Sequence, residues 1–205
     1  MDPLSMLGLT LGTSFAAGLN VYATVAAAGL MQRLGWVQLP AGLEVLANPV
    51  VLGIATVLFV VEFVADKIPL VDSVWQAVHT FIRPPAAAIL AVAALGQLDA
   101  AWQVGAALVA GTVALTSHGA KASARAAVNT SPEPVSNWAL SFSEDALAVF
   151  LTWMAAEHPV ITAGLVVVLL LLAVLVIRVL FHFVRDRVLP TLRRAGKLFR
   201  VEGGA

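Results

Sequence analysis

Apolar positions along this chain fall in long blocks rather than in the two-residue alternation of a half-buried strand. The clearest block, residues 164–177, carries no polar side chain. A bilayer-spanning helix needs about 20 mostly apolar residues, and six blocks approach that length: 4–34, 49–65, 84–98, 101–116, 137–156 and 159–184. The third and fourth are short, so they cross where the bilayer is thin or one of them is re-entrant. The first is long and holds Ser14, Gly18, Asn20 and Tyr22 near its middle. Such residues suit close helix packing, the favoured reading, and they also suit a helix break. The pattern predicts an all-α polytopic bundle of about six membrane helices, a single domain over residues 1–185, with a basic tail over 186–205.

Composition supports lipid as the solvent. Of 205 residues 60% are apolar and 12% charged, with mean hydropathy +0.92. Soluble domains carry about 25% charged residues, and half of that is too little to cover a water-facing surface. The net charge is +0, so no global field draws in nucleic acid, and none is expected as a partner. Membrane lipids are. The absence of cysteine removes disulfides, thiolate metal sites and cysteine nucleophiles. Met1, Asp2 and Pro3 lack the positive region of a cleavable signal peptide, so the first block is expected to stay in the membrane.

Charge placement sets an expected orientation. Arg178, Arg185, Arg187, Arg193, Arg194, Lys197 and Arg200 crowd the C-terminus, which the positive-inside rule assigns to the cytoplasm. Counting back over six spans puts the N-terminus there too, in a cell inner membrane. Residues 66–83 and 117–136, with Lys67, Arg83, Lys121 and Arg125, then face inward, and the outer segments hold only Arg33. The tail reads as a topology determinant before it reads as a site for anionic lipid.

Two segments match at an offset of 63 residues. Pro69, Ser73 and Trp75 align with Pro132, Ser136 and Trp138 in a shared P-x-x-x-S-x-W pattern. Each copy follows one block and precedes another, which suggests a duplicated span–loop–span unit in parallel orientation. Transporters often place their sites at such repeat interfaces. The same offset puts Glu62 on Arg125 and Asp66 on Asn129.

The polar residues form two kinds of candidate site. Glu62 and Asp66 share a helix face, as do His118, Lys121 and Arg125. Charges near lipid are costly unless paired, so the acidic face is expected to meet the basic one. The meeting is either a structural ion-pair cluster, the weightier reading, or the wall of a path for a charged solute that also uses Asn20 and Tyr22. The second candidate is a loop surface. One loop offers Lys67, Asp72, Trp75, His79 and Arg83, the other Asn129, Glu133, Asn137, Trp138, Glu144 and Asp145. Prolines stiffen both. Asp72, Trp75 and His79 have the spacing of an interfacial amphipathic helix. Glu144 and Asp145 read as dipole-facing acids at a helix start, or as partners of Arg83.

Phosphate-loop, H-E-x-x-H, G-x-S-x-G and EF-hand patterns are missing. The four histidines lack ligand spacing, and no metal or other cofactor is expected. Alanine- and glycine-rich spans permit a homo-oligomer.

Several of these residues carry a family resemblance. Val64, Ala65, Asp66, Lys67, Ile68 and Pro69, followed by Asp72, Trp75, His79, Thr80, Phe81, Ile82, Arg83, Pro84 and Pro85, form one signature. His118, Gly119, Ala120, Lys121, Arg125, Val128 to Pro134, Ser136, Asn137 and Trp138 form a second, and Asn20, Val21 and Tyr22 fit as well. Over about residues 8–185 the chain resembles bacterial membrane proteins catalogued as domain of unknown function 4126. The resemblance implies a multi-pass fold and no activity.

Three functions are therefore expected, in order. The first is a transporter or channel for a small charged solute, ion or lipid headgroup, with Glu62, Asp66, Lys121 and Arg125 on the path. The second is a non-transporting scaffold or assembly factor that docks a partner on the two loops. A membrane enzyme acting on lipid phosphates comes third.

Overall fold

A computed structural model describes residues 2–96, 98–129, 135–183 and 185–186. Six α-helices follow one another: α1 (Pro3–Arg33), α2 (Pro49–Ala65), α3 (Pro69–Ala94), α4 (Ala100–Val128), α5 (Val135–Glu157) and α6 (Pro159–Phe183), with a 3₁₀ turn, Ala41–Ala47, before α2. Boundaries follow local chemistry. Asp2 caps α1 by accepting from the Leu4 and Ser5 amides at 3.0 Å, and Asn48 caps α2 by accepting from the Val50 amide at 2.8 Å. Pro3, Pro49, Pro69 and Pro159 each stand in a helix's first turn, where the missing N–H has no intrahelical role. The chain is a helical membrane bundle: five helices, α1 and α3–α6, are long and apolar enough to cross a membrane, and the 3₁₀ turn with α2, bent by 67°, passes as a pair.

Helix α1 folds back on itself. Asn20 has extended backbone angles (φ −155°, ψ 101°) inside an otherwise helical run. On a straight helix Gly8 and Met31 would lie about 35 Å apart. Instead Gly8 presses on the backbone of Pro159, while Met31 shares a groove with Trp153 and Trp36 a pocket with Ala156 and Glu157. Thr13 and Thr24, on either side of the break, line one cavity of about 10 Å³. Both ends of α1 thus reach the α5–α6 junction, and Asn20 forms a tip that points into the bundle. The sequence offered a break or close packing in this block. Both occur, because a chain that doubles back among other helices must be thin. A Cβ on Gly18 would meet the Ser117 hydroxyl and the Ala114 carbonyl.

α1 packs against all five other helices. Around its two arms sit apolar layers, one with Leu9, Met31, Leu43, Leu46 and Leu95, another with Phe15, Leu19, Val113, Leu151 and Val166. Outward faces stay apolar, as at Leu171, Leu175 and Val179 on α6, which suits lipid.

Two expectations need correction. The third and fourth spans are not short: α3 has 26 residues and α4 has 29. α3 runs through Pro84 and Pro85, although these prolines deprive the Thr80 and Phe81 carbonyls of intrahelical donors. Residues 69–83 and 117–128, read as stiff loops, are helix. Their polar residues interrupt the apolar blocks but keep helical spacing, and that polar face turns into the bundle instead of lying on the membrane surface. The start of α1 and the end of α6 lie at opposite ends of the bundle. Met6 neighbours Ala93, Ala94, Leu95, Gly96 and Leu98, while Gly119 contacts Ile177 near the far end of α6.

Candidate functional site: a buried charge network at the tip of a folded-back helix

Breaking α1 at Asn20 leaves the last carbonyls of its first arm without intrahelical partners. Cations from other helices take two of them, and a hydroxyl meets the carbonyl one turn earlier. Arg83 on α3 donates to the Gly18 carbonyl at 2.8 Å, Lys121 on α4 to the Leu19 carbonyl at 3.0 Å, and Ser117 to the Phe15 carbonyl at 3.0 Å. Positive charge also suits the C-terminal end of the helix dipole. Asn20 ties the second arm to α5: its Oδ1 accepts from the Ala23 amide at 2.9 Å, starting the second arm, and its Nδ2 donates to Asp145 Oδ1 at 2.8 Å.

From this tip a charged network runs toward the α2–α3 turn. The acidic and basic faces read from the sequence do meet. Glu62 Oε1 accepts from Arg83 at 2.7 Å and from Lys121 at 3.2 Å. Asp66 Oδ2 accepts from Lys121 at 3.1 Å and from Arg125 at 2.8 Å. Glu144 joins through Arg125 at 2.6 Å and Lys121 at 3.5 Å. Arg125 is the hub: it also donates to the Asp66 carbonyl at 2.7 Å and to Asn137 Oδ1 at 2.9 Å. The pairs are closed, with Glu62, Arg83 and Lys121 side chains at 0% exposure.

The histidines flank the network. His118 Nδ1 lies 2.8 Å from an Arg83 donor, so that nitrogen is an acceptor and the ring is neutral, with its proton on Nε2 toward Thr80 (2.9 Å) and the Gln76 carbonyl (3.1 Å). His79 donates from Nδ1 to the Trp75 carbonyl at 2.8 Å and meets the Tyr22 hydroxyl at 3.1 Å through Nε2.

Much of the expected loop surface lies inside the bundle. Asp72, His79, Arg83, Asn137, Glu144 and Asp145 are all buried. Asp72 accepts from Gln76 at 3.0 Å and from Asn129 at 2.6 Å, and Asn137 donates to Asn129 at 3.1 Å. Trp75 is half-buried, and Trp138 stays half-exposed. Glu133 and the tail beyond Asp186 lie outside the described residues. Glu144 and Asp145 are not first-turn acids, since α5 begins at Val135, nor do they pair with Arg83, whose carboxylate is Glu62. Sequence reading passed over Gln76 and Ser117. Gln76 was legible, because 72, 76, 79 and 83 mark one helix face, whereas nothing marks a serine that answers a broken helix.

Lys67, in the α2–α3 turn, stands at the edge. It donates to the Phe63 carbonyl at 2.8 Å and rests over the Phe63 ring at 2.9 Å. Burial pushes its pKa below the ordinary lysine value, opposed by the carboxylates of Asp145 and Asp66.

The family model described as "Domain of unknown function (DUF4126)" matches residues 7–179. The chain belongs to that family. The matched region takes in the α1 tip and every network residue named above, and the DUF4126 description assigns no activity to them. No curated protein and no solved structure shows a significant match.

Proposed function

We propose that the protein moves a small cation, the proton included, across a membrane, with the network around the α1 tip as its central, occluded site. The observation that carries this is an imbalance. Among the described residues five buried carboxylates (Glu62, Asp66, Asp72, Glu144, Asp145) face three buried cations (Arg83, Lys121, Arg125). Two carboxylate oxygens, Glu62 Oε2 and Asp145 Oδ2, have no hydrogen-bond partner there. A buried lone pair without a donor is costly, and a proton or a small cation satisfies it. A purely structural cluster would gain by balancing its charges. The position agrees: Asp145 lies ten residues after the start of α5 and twelve before its end, about mid-bundle. Broken helices whose freed backbone meets charge at that depth are a transporter feature.

In this reading α1 is a re-entrant hairpin, and α2–α6 are the crossings. The α2–α3 turn and the C-terminus face the cytoplasm, following the positive charge, and the N-terminus faces the other side of an inner membrane. Glu62–Arg83 and Arg125–Glu144 are charge-inverted pairs closing the α2–α3 and α4–α5 hairpins, which supports a duplication.

Two measurements test the reading. Proteoliposomes under an imposed proton, sodium or potassium gradient should show flux that Glu62→Gln and Lys121→Gln abolish while the protein stays folded. Flux surviving both changes defeats the path. Because the chain has no cysteine, Ser5→Cys and Asp186→Cys can be labelled singly with an impermeant maleimide. They should react from opposite sides, and reaction from the same side defeats the topology.

A further inference from the structure

Helices α2 and α5 are splayed, meeting where Phe63 and Phe142 stand edge to face at 5.3 Å. Between them opens a groove of about 660 Å³ lined by Phe59, Phe63, Phe142, Phe150, Trp153 and others, with Met31 from the second arm of α1. Its mouth faces the side of the bundle, where Phe142 and Phe150 are 53% and 45% exposed. One carboxylate reaches it. Asp145 is 7% exposed, lines the groove and keeps Oδ2 without a partner. An ammonium already stands beside two of the lining rings: Lys67 Nζ sits 2.9 Å from the Phe63 ring centre and 5.0 Å from that of Phe142. Aromatic faces attract cations most when water is excluded.

We propose that this groove is a lateral binding site for a lipophilic organic cation, which lays its alkyl chain along α5 and sets its ammonium on Phe63 and Phe142 beside Asp145. Lys67 is the tethered ammonium that occupies the aromatic end when the ligand is absent. The surplus of buried acid supplies the charge complementarity, and an ammonium there stands beside the Asp145 carboxylate. The lowered pKa of Lys67 fits a side chain that gives up its charge, and with it the site, more readily than an ordinary lysine. The proposal goes beyond the small-cation reading by adding a lateral site for a larger, lipophilic cation, and it rests on that reading only for any onward step.

The test is equilibrium binding of dodecyltrimethylammonium to the purified full chain in lipid nanodiscs, with dodecanol as the neutral match. The cation should bind saturably at one site, and dodecanol should not. Asp145→Asn should weaken binding about tenfold, and Phe142→Leu, which keeps bulk but removes the π face, several-fold. Lys67→Gln should tighten it several-fold by removing the competitor. Should Asp145→Asn fail to fold, the variants at the half-exposed Phe142 and Lys67 decide alone. Equal binding of dodecanol, no saturable binding, or affinities untouched by Phe142→Leu and Lys67→Gln would overturn the site. Binding without flux leaves the site and defeats transport; ion flux without binding does the reverse.

Discussion

Arg125→Met removes the hub of the network while keeping most of its bulk. The guanidinium makes five hydrogen bonds: two to Glu144 Oε2 at 3.0 and 2.6 Å, one to Asp66 Oδ2 at 2.8 Å, and one each to the Asp66 carbonyl and Asn137. Its loss leaves Asp66 and Glu144 with Lys121 as their remaining cation, at 3.1 and 3.5 Å. Stranding a buried charge in this way costs about 3–5 kcal/mol. Removing the stranded acid as well should recover part of that, so Arg125→Met with Glu144→Leu should cost at least about 1 kcal/mol less than the two single changes summed. Arg125→Lys keeps the charge but cannot reach four acceptors at once, and should fall between wild type and Arg125→Met. Reversible unfolding in mixed micelles, titrated with a denaturing detergent and followed by tryptophan fluorescence, measures all four. An Arg125→Met protein within about 0.5 kcal/mol of wild type, or strict additivity in the double variant, would refute the network as described.

Three further outcomes are expected. Gly18→Ala pushes a methyl into Ser117 and Ala114 and should destabilise by about 1–3 kcal/mol or more in the same titration, because the backbone opposite cannot yield like a side chain tip. Asn20→Ala removes the cap of the second arm and the donor to Asp145 Oδ1; losing the cap alone costs about 1 kcal/mol, and the new orphan oxygen about 1–3 more, so a melting temperature near wild type would count against the fold-back. The Lys67 pKa is lowered by burial and held up by Asp145, so Asp145→Asn should lower it further. More neutral amine is then present at mildly alkaline pH, and acylation of Lys67, read by peptide mass spectrometry, should speed up; slower labelling than wild type would contradict that ordering.

The bundle itself was legible from the sequence, because α6 and α2 are apolar enough that lipid is their only plausible surroundings. So was the meeting of Glu62 and Asp66 with Lys121 and Arg125, since charges at helical spacing near lipid must find partners. Helix length was misjudged where Asp72, Gln76, His79 and Arg83 interrupt an apolar run. Polarity marks a loop only when it faces water, and here it faces the α1 tip. The fold-back was the least legible feature. Asn20 flagged a break, but the direction in which a broken helix continues depends on what its freed carbonyls meet, and Arg83 and Lys121 lie 65 and 102 residues away in the chain from the carbonyls they bind.

The pairing of charges by hairpin bears on how such a chain enters a bilayer. Glu62 is made well before Lys121, its second cation, yet Arg83 follows it by 21 residues, on the next helix. Arg125 and Glu144 stand 19 residues apart in the same relation. Each hairpin therefore carries an acid and a base that can neutralise one another as it leaves the ribosome, so neither half has to wait in lipid for the other to be synthesised. Bonds between the two hairpins or to α1, such as Asp66 to Arg125 and Asn20 to Asp145, are left for assembly inside the membrane, where no water competes for them.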